Sequence, residues 1–250
     1  MLNELLLLSG NDIPFPAAGL TIHPPTIKEI AYIGEESFFT GCELLNFSKD
    51  ILNDEDKTRL ENLTNFEVLM SIMNDTNIAL RKQKTCALLV LTLLFPTYQI
   101  SLNVDNIELI TVDEKDFINE KHYITKENFE DFKIILKEIF CLNKGSSADY
   151  NPSGSLSKKI ADKLKERQKK LAKQKGEGSG KVAIFSRYVS ILSVGQQKDM
   201  NGLMQYTVYQ LFDEYQRYEL KMQADIYLQA KLAGGKDLKE VDDWMKDIHS

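Results

Sequence analysis

Residues that usually mark chemistry are scarce in this 250-residue chain. It holds three cysteines, three histidines and one tryptophan. Cys42, Cys86 and Cys141 stand far apart with no C-x-x-C pair, which argues against a disulfide framework and fits a reducing cytoplasm. His23, His122 and His249 are equally isolated, and without an H-x-x-x-H or Cys/His cluster no metal is expected. Long apolar runs are also missing. The longest, Cys86 to Phe95, is half of the roughly 20 residues that a spanning helix needs, so it reads as a buried helix and no membrane is expected. The opening MLNELLLLSGNDIPFP has no basic n-region, so it reads as part of the fold instead of a signal peptide.

Catalytic patterns are lacking too. No G-x-S-x-G elbow occurs, and the paired carboxylates Glu35-Glu36 and Asp242-Asp243 diverge on a helix. The stretch GEGSGK at 176–181 has Lys175 where a phosphate loop needs glycine and Val182 where it needs a hydroxyl. It reads as a hinge. No catalytic residue and no cofactor is therefore expected.

What is present is a sharp division of charge. Residues 1–157 carry a net −11, residues 158–175 a net +7 and residues 176–250 a net −2. Such asymmetry marks modules. The first 25 residues read as short strands, Leu5–Leu8 among them, with Ile13, Phe15, Leu20 and Ile22 forming a small hairpin. Thr26 to Glu29 and Thr64 to Glu67 each fit a capping box that opens a helix. Tyr98–Val104 and Ile107–Thr111 alternate as a second hairpin. A helix from Thr125 sets Phe129, Phe132, Leu136 and Phe140 on one face.

Three parts result. Residues 1–142 form an α+β domain with short β-hairpins and helices. Residues 143–180 form a linker, rich in Gly, Ser, Asn and Pro at its start, that carries a basic helix. Residues 181–250 form an all-α domain with helices near Val182–Leu192, through the tyrosine-rich stretch and near Asp237–Ile248.

Two stretches are candidate contact sites. The basic helix presents Lys158, Lys159, Lys163, Lys165, Arg167, Lys169, Lys170 and Lys173 as an electrostatic patch. It reads as a solvated connector, as an arm for an acidic surface on another copy, or as a nucleic-acid contact. The absence of aromatics from it and the acidic remainder oppose the last of these. The second stretch begins at Met204. Met204, Val208, Leu211, Tyr215, Tyr218 and Met222 step by three and four residues, a seam on one helical face. Leu220, Ala224, Tyr227 and Leu228 form a second patch. Either neighbouring helices cover these rings, or Tyr206, Tyr209, Phe212, Tyr215, Tyr218, Met222 and Tyr227 grip another protein.

The segments IFSRYVSILSV, DMNGLMQYTVYQLFDEYQRYELKMQADIYLQAKLAGG and VDDWMKDI resemble the C-terminal region of phage tail-assembly chaperones. The run YTVYQLFDEYQRY, the following AGG and the helix bearing Trp244 carry that resemblance, which covers about a third of the chain. PPTIKEIAYIGEE is similar to the opening of accessory proteins from phages of Gram-positive hosts. The resemblance implies a non-enzymatic helper in the host cytoplasm. Such helpers coat the long helical tape-measure protein, recruit tail-tube subunits and are often absent from the finished particle. The alternatives are a permanent structural component of a tail or connector, and a nucleic-acid-associated protein that uses the basic helix. A homo-oligomer is compatible with each.

Overall fold

Capping side chains fix where most helices begin. The computed structural model describes residues 2–49, 58, 60–111, 120–142, 183–234 and 245. In the first helix, α1 (Glu4–Ser9), the Asn3 side chain accepts from the Leu5 amide at 3.0 Å. Gly10, left-handed at φ 69, ends it. The strand expected over Leu5–Leu8 is therefore a helix. The asparagine cap and the glycine stop bracket a run too short to show a helical period.

The first hairpin pairs β1 (Ile13–Phe15) with β2 (Leu20–Ile22), with Ile13 opposite Ile22 and Phe15 opposite Leu20. Those four side chains are buried while Pro14 and Thr21 face out. Both expected capping boxes form. Thr26 opens α2 (Ile27–Ile33) with Glu29, and Thr64 opens α4 (Asn65–Asn74) with Glu67. Burial pushes the Glu29 carboxyl up. Hydrogen bonds from the Thr26 amide and hydroxyl, with His23 alongside, outweigh it and hold the group below the usual carboxylate range.

Between these lies α3 (Glu35–Leu45), packed on α5 (Arg81–Leu94). The two helices approach so closely at Gly41 that an added Cβ would collide with the Cys86 carbonyl. Pro96 follows the end of α5. The second hairpin forms from β3 (Tyr98–Leu102) and β4 (Ile107–Thr111), with Leu102 opposite Ile107, so β3 stops short of the expected Val104 and residues 103–106 make the connection. It gains an unexpected third strand, β5 (Lys121–Ile124), antiparallel to β4. Ile107, Leu109 and Ile124 turn inward, while Lys121 pairs with Glu108 at 2.9 Å outside.

The last helix of this half, α6, spans Phe129–Ile139. It starts four residues after Thr125 because the Asn128 side chain accepts from the Thr125 amide and donates to the Tyr123 and Ala17 carbonyls, holding a turn there. Phe129, Phe132 and Leu136 are buried along its inner face, and Phe140 is buried just past its end. The fold is α+β, with both small sheets in the N-terminal half and helices at the C-terminal end of the described chain.

One hydrophobic cluster joins the two halves. It contains Ile13, Phe38, Leu91 and Phe132 together with Phe185, Leu192, Leu203 and Leu211. Each such fully buried side chain contributes about 1.5–3 kcal/mol. The expected linker, its basic helix and the terminal helix near Asp237–Ile248 lie outside the described residues, apart from Met245.

Candidate partner-binding site

Among the described residues, three helices build the C-terminal region: α7 (Ile184–Gln196), α8 (Met200–Met204) and α9 (Val208–Leu232). The first residue before α7, Ala183, offers no side-chain cap. Glu35 supplies one from the other half of the chain. Its carboxylate accepts from the Ile184 amide and from the Phe185 amide at 2.9 Å, a favoured place for negative charge. Phe185, Val189 and Leu192 then point into the core at helical spacing.

The seam expected to run unbroken from Met204 is interrupted. Met204 closes α8, and Thr207 opens α9 with a capping box of its own through Gln210. The cause is local: a threonine with glutamine three residues later satisfies two first-turn amides. This start is also tied to the N-terminal half. Thr207 bridges Thr26, the Ile27 amide donates to the Tyr206 carbonyl at 2.8 Å, and Gln210 Nε2 donates to the Leu8 carbonyl at 2.7 Å.

The candidate rings divide along α9. Tyr209, expected among the contact residues, is 5% exposed and packs in the core beside Val208 and Leu211. Tyr206 is half-buried, and its hydroxyl accepts from Lys198 at 3.1 Å. Lys198 also pairs with Glu214 at 2.9 Å. Burial lowers the Lys198 pKa, yet the Glu214 and Tyr206 contacts outweigh that and raise it overall. Phe212 packs edge-on against Tyr188 and Phe185, with ring centroids 5.3 and 6.2 Å away. Tyr215 stacks face to face on Tyr188, 3.8 Å between centroids and 7° from parallel. Burial first, then Glu219 and Tyr188, push its hydroxyl above the usual tyrosine range. Tyr218 lies across Gly195, where an added Cβ would collide with its hydroxyl.

These contacts form an aromatic row that begins inside the body. Phe140 meets Phe38 at 4.9 Å, Phe38 meets Phe185 at 5.8 Å, and the row continues through Phe212, Tyr188 and Tyr215. The rings from Tyr206 to Tyr218 are thus engaged within the molecule. Beyond Tyr218 the neighbouring helix has ended, and a cleft of 510 Å³ opens between Gly195–Gln196 and the side of α9 from Glu214 to Asp225.

Past that cleft α9 is sparsely covered by other described residues. Met222 is 41% exposed, Ile226 60%, Leu228 54% and Leu232 80%. Tyr227 is half-buried, with the Lys231 ammonium 5.9 Å from its ring centre. Of the expected contact residues, Met222 and Tyr227 lie on this uncovered stretch. Ile226 and Leu232 join it, and a helical wheel of residues 219–232 would have found them. The electrostatic patch from Lys158 to Lys173 lies outside the described residues.

Among the described residues no group of three or more His, Cys, Asp or Glu side chains is placed to hold a metal ion. No described helix is long and apolar enough to cross a membrane.

The helices of the site lie in a region that is similar to a phage-associated domain. Residues 173–249 match the family model of the YomV second domain, a phage-derived family of the Bacillus phage SPbeta type. The match takes in α7, α8 and α9 but less than a third of the chain. No curated protein and no solved structure matches the chain.

Proposed function

We propose that the protein is a non-enzymatic assembly factor of a tailed phage, and that it binds another polypeptide through residues 219–232 of α9. One observation carries this reading. A 25-residue helix packs its first part into the core and then continues past the end of α7 with Met222, Ile226, Leu228 and Leu232 exposed. Apolar side chains clustered on a projecting element mark an interaction site. Met222 and Ile226 lie one turn apart on one side of the helix, Leu228 and Leu232 one turn apart on another, and a partner helix seated along such a pair, with a few large side chains as anchors, is a recurrent recognition mode. The partner proposed is a long helical tail protein of the tape-measure class, with tail-tube subunits recruited in turn. The similarity to a phage-derived domain supports the phage setting.

Co-expression with the long helical tail protein of the same phage tests this. The wild-type chain retains the partner on an affinity column. The double variant Ile226→Asp, Leu228→Asp loses it, with its circular dichroism spectrum unchanged. Equal retention by both chains, or by neither, rejects the reading. Mass spectrometry of purified particles separates an assembly helper, which is absent from them, from a permanent tail component.

A further inference from the structure

We infer that the segment after α9 turns back along that helix and seats Trp244, the lone tryptophan, in the cleft beside Gly195 and Gln196. The side of α9 that lines this cleft includes Tyr218, Lys221 and Asp225. Leu228 and Leu232 continue the same row, since positions 218, 221, 225, 228 and 232 step by three and four residues. Both leucines are exposed, so an apolar track leads from the end of the helix to the mouth of the cleft. The helix end is built to reverse the chain. Ala233 caps it and Gly234 follows at φ 84, its amide donating to the Lys231 carbonyl at 3.1 Å. That left-handed step stops a helix and lets a short loop begin an antiparallel return.

Reach and spacing select the segment. Residues 237–244 as a helix are roughly 12 Å long, so Trp244 comes level with Asp225 when the return begins opposite Leu232. Leu238, Val241 and Trp244 recur at every third position and so share one side. Leu238 then meets Leu232, Val241 meets Leu228, and the indole enters the cleft with the Asp225 carboxylate at hand for its N–H. Met245 lies in a turn and is 69% exposed, so the helical return ends as it passes the cleft. The cleft carries both signs, Glu214 and Asp225 with Arg217 and Lys221, so apolar contact and reach choose its occupant, not net charge. Residues 173–249 match one domain family, which puts the segment and both cleft walls in the same unit. The inference does not depend on the partner reading. Where that reading holds, the returning segment takes Leu228 and Leu232 and leaves the Ile226 side to another polypeptide.

The lone tryptophan reports on this directly in the free full-length chain. With an undocked share of at most about 10%, acrylamide quenches Trp244 at least about tenfold less than in the urea-unfolded chain, and its emission lies at shorter wavelength. Both values hold over about a hundredfold range of protein concentration, as an intramolecular contact requires. The variant Leu228→Gln, Leu232→Gln keeps good helix formers in α9 but removes the track. Its emission and quenching move to the unfolded values, while a cooperative urea transition shows the body still folded. Ile226→Gln, on the other side, leaves both values as in wild type, and a loss there equal to that of the leucine pair counts against the inference. Solvent-like emission in the wild-type chain overturns it. So does a shielded tryptophan that the leucine variant leaves shielded, which places the ring elsewhere. Shielding that appears only as concentration rises also overturns it and makes a second copy the occupant. If the wild-type tryptophan is solvent-like, yet the chain retains the long helical protein and the Ile226→Asp, Leu228→Asp variant does not, the partner reading stands and only the return falls.

Discussion

Replacing Phe185 by alanine tests whether the two halves of this molecule are one cooperative unit. The ring is 2% exposed. Its centroid lies 5.8 Å from Phe38 and 5.1 Å from Phe39, both in the N-terminal half, and 6.2 Å from Phe212 on α9. Truncating a buried phenylalanine costs about 3–5 kcal/mol, the transfer of the ring plus the cavity it leaves. Each edge-on or stacked pair lost adds roughly 0.5–1.5 kcal/mol at the sites where the gap cannot collapse. A loss of about 4 kcal/mol, divided by a urea dependence of about 2–3 kcal/mol per molar for a chain of this size, lowers the midpoint by about 1–2 M. Far-ultraviolet dichroism follows all helices, and near-ultraviolet dichroism follows the stacked Tyr188–Tyr215 pair. Because Phe185 sits in a shared core, both signals shift together with unchanged slope. Hydrogen exchange in α3 and α5 accelerates along with that in α7. If the amides of α3 and α5 keep their wild-type protection while α7 opens, the halves are separate units and the reasoning fails.

Two further outcomes follow from close contacts. Gly41→Ala drives a methyl group into the Cys86 backbone, which cannot swing aside as a side chain would. Overpacking costs of about 1–3 kcal/mol then exceed most of the roughly 1 kcal/mol that alanine gains in a helix, so the melting temperature falls by a few degrees; a rise would refute the approach of α3 and α5. The Tyr215 hydroxyl has a folded pKa above its unfolded value, because burial, Glu219 and Tyr188 all disfavour the phenolate. The stability this gives is complete below about pH 10 and is lost as pH rises through the folded value. Tyr215→Phe flattens that alkaline loss in melts taken across the range, and an unchanged alkaline slope would show that the ring is solvated.

Sequence patterns were most informative where the cause of structure is local. The Thr26–Glu29 and Thr64–Glu67 boxes, the hairpin at Tyr98–Thr111 and the stop after Phe95 all depend on residues within a few positions of one another. Helix α1 escaped because six residues show no period, although Asn3 and Gly10 mark its ends. Strand β5 escaped because its residues, KHYI, lack clean alternation. The third capping box, Thr207 to Gln210, was hidden inside an apolar seam that seemed continuous on spacing alone. The shared core had no local signal. Glu35 meets Ile184 across 149 residues, and Phe38 meets Phe185. That same non-local packing explains why Tyr209, Phe212 and Tyr215 could be recognised as sticky but not assigned to the molecule's interior or to a partner. The end of α9 is legible in part: Met222 and Tyr227 belong to the expected contact set and lie on the sparsely covered stretch, whereas the end of α7 at Gln196, which leaves that stretch open, has no local signal in α9 itself.

The carboxylate of Glu35 ties the start of α7 to the N-terminal half. Ala183 gives no side-chain cap, so two first-turn amides of α7 take their acceptor from α3, 149 and 150 residues away in sequence. A residue without an acceptor at position 35 would loosen the attachment of α7 while leaving the Thr207 cap of α9 intact.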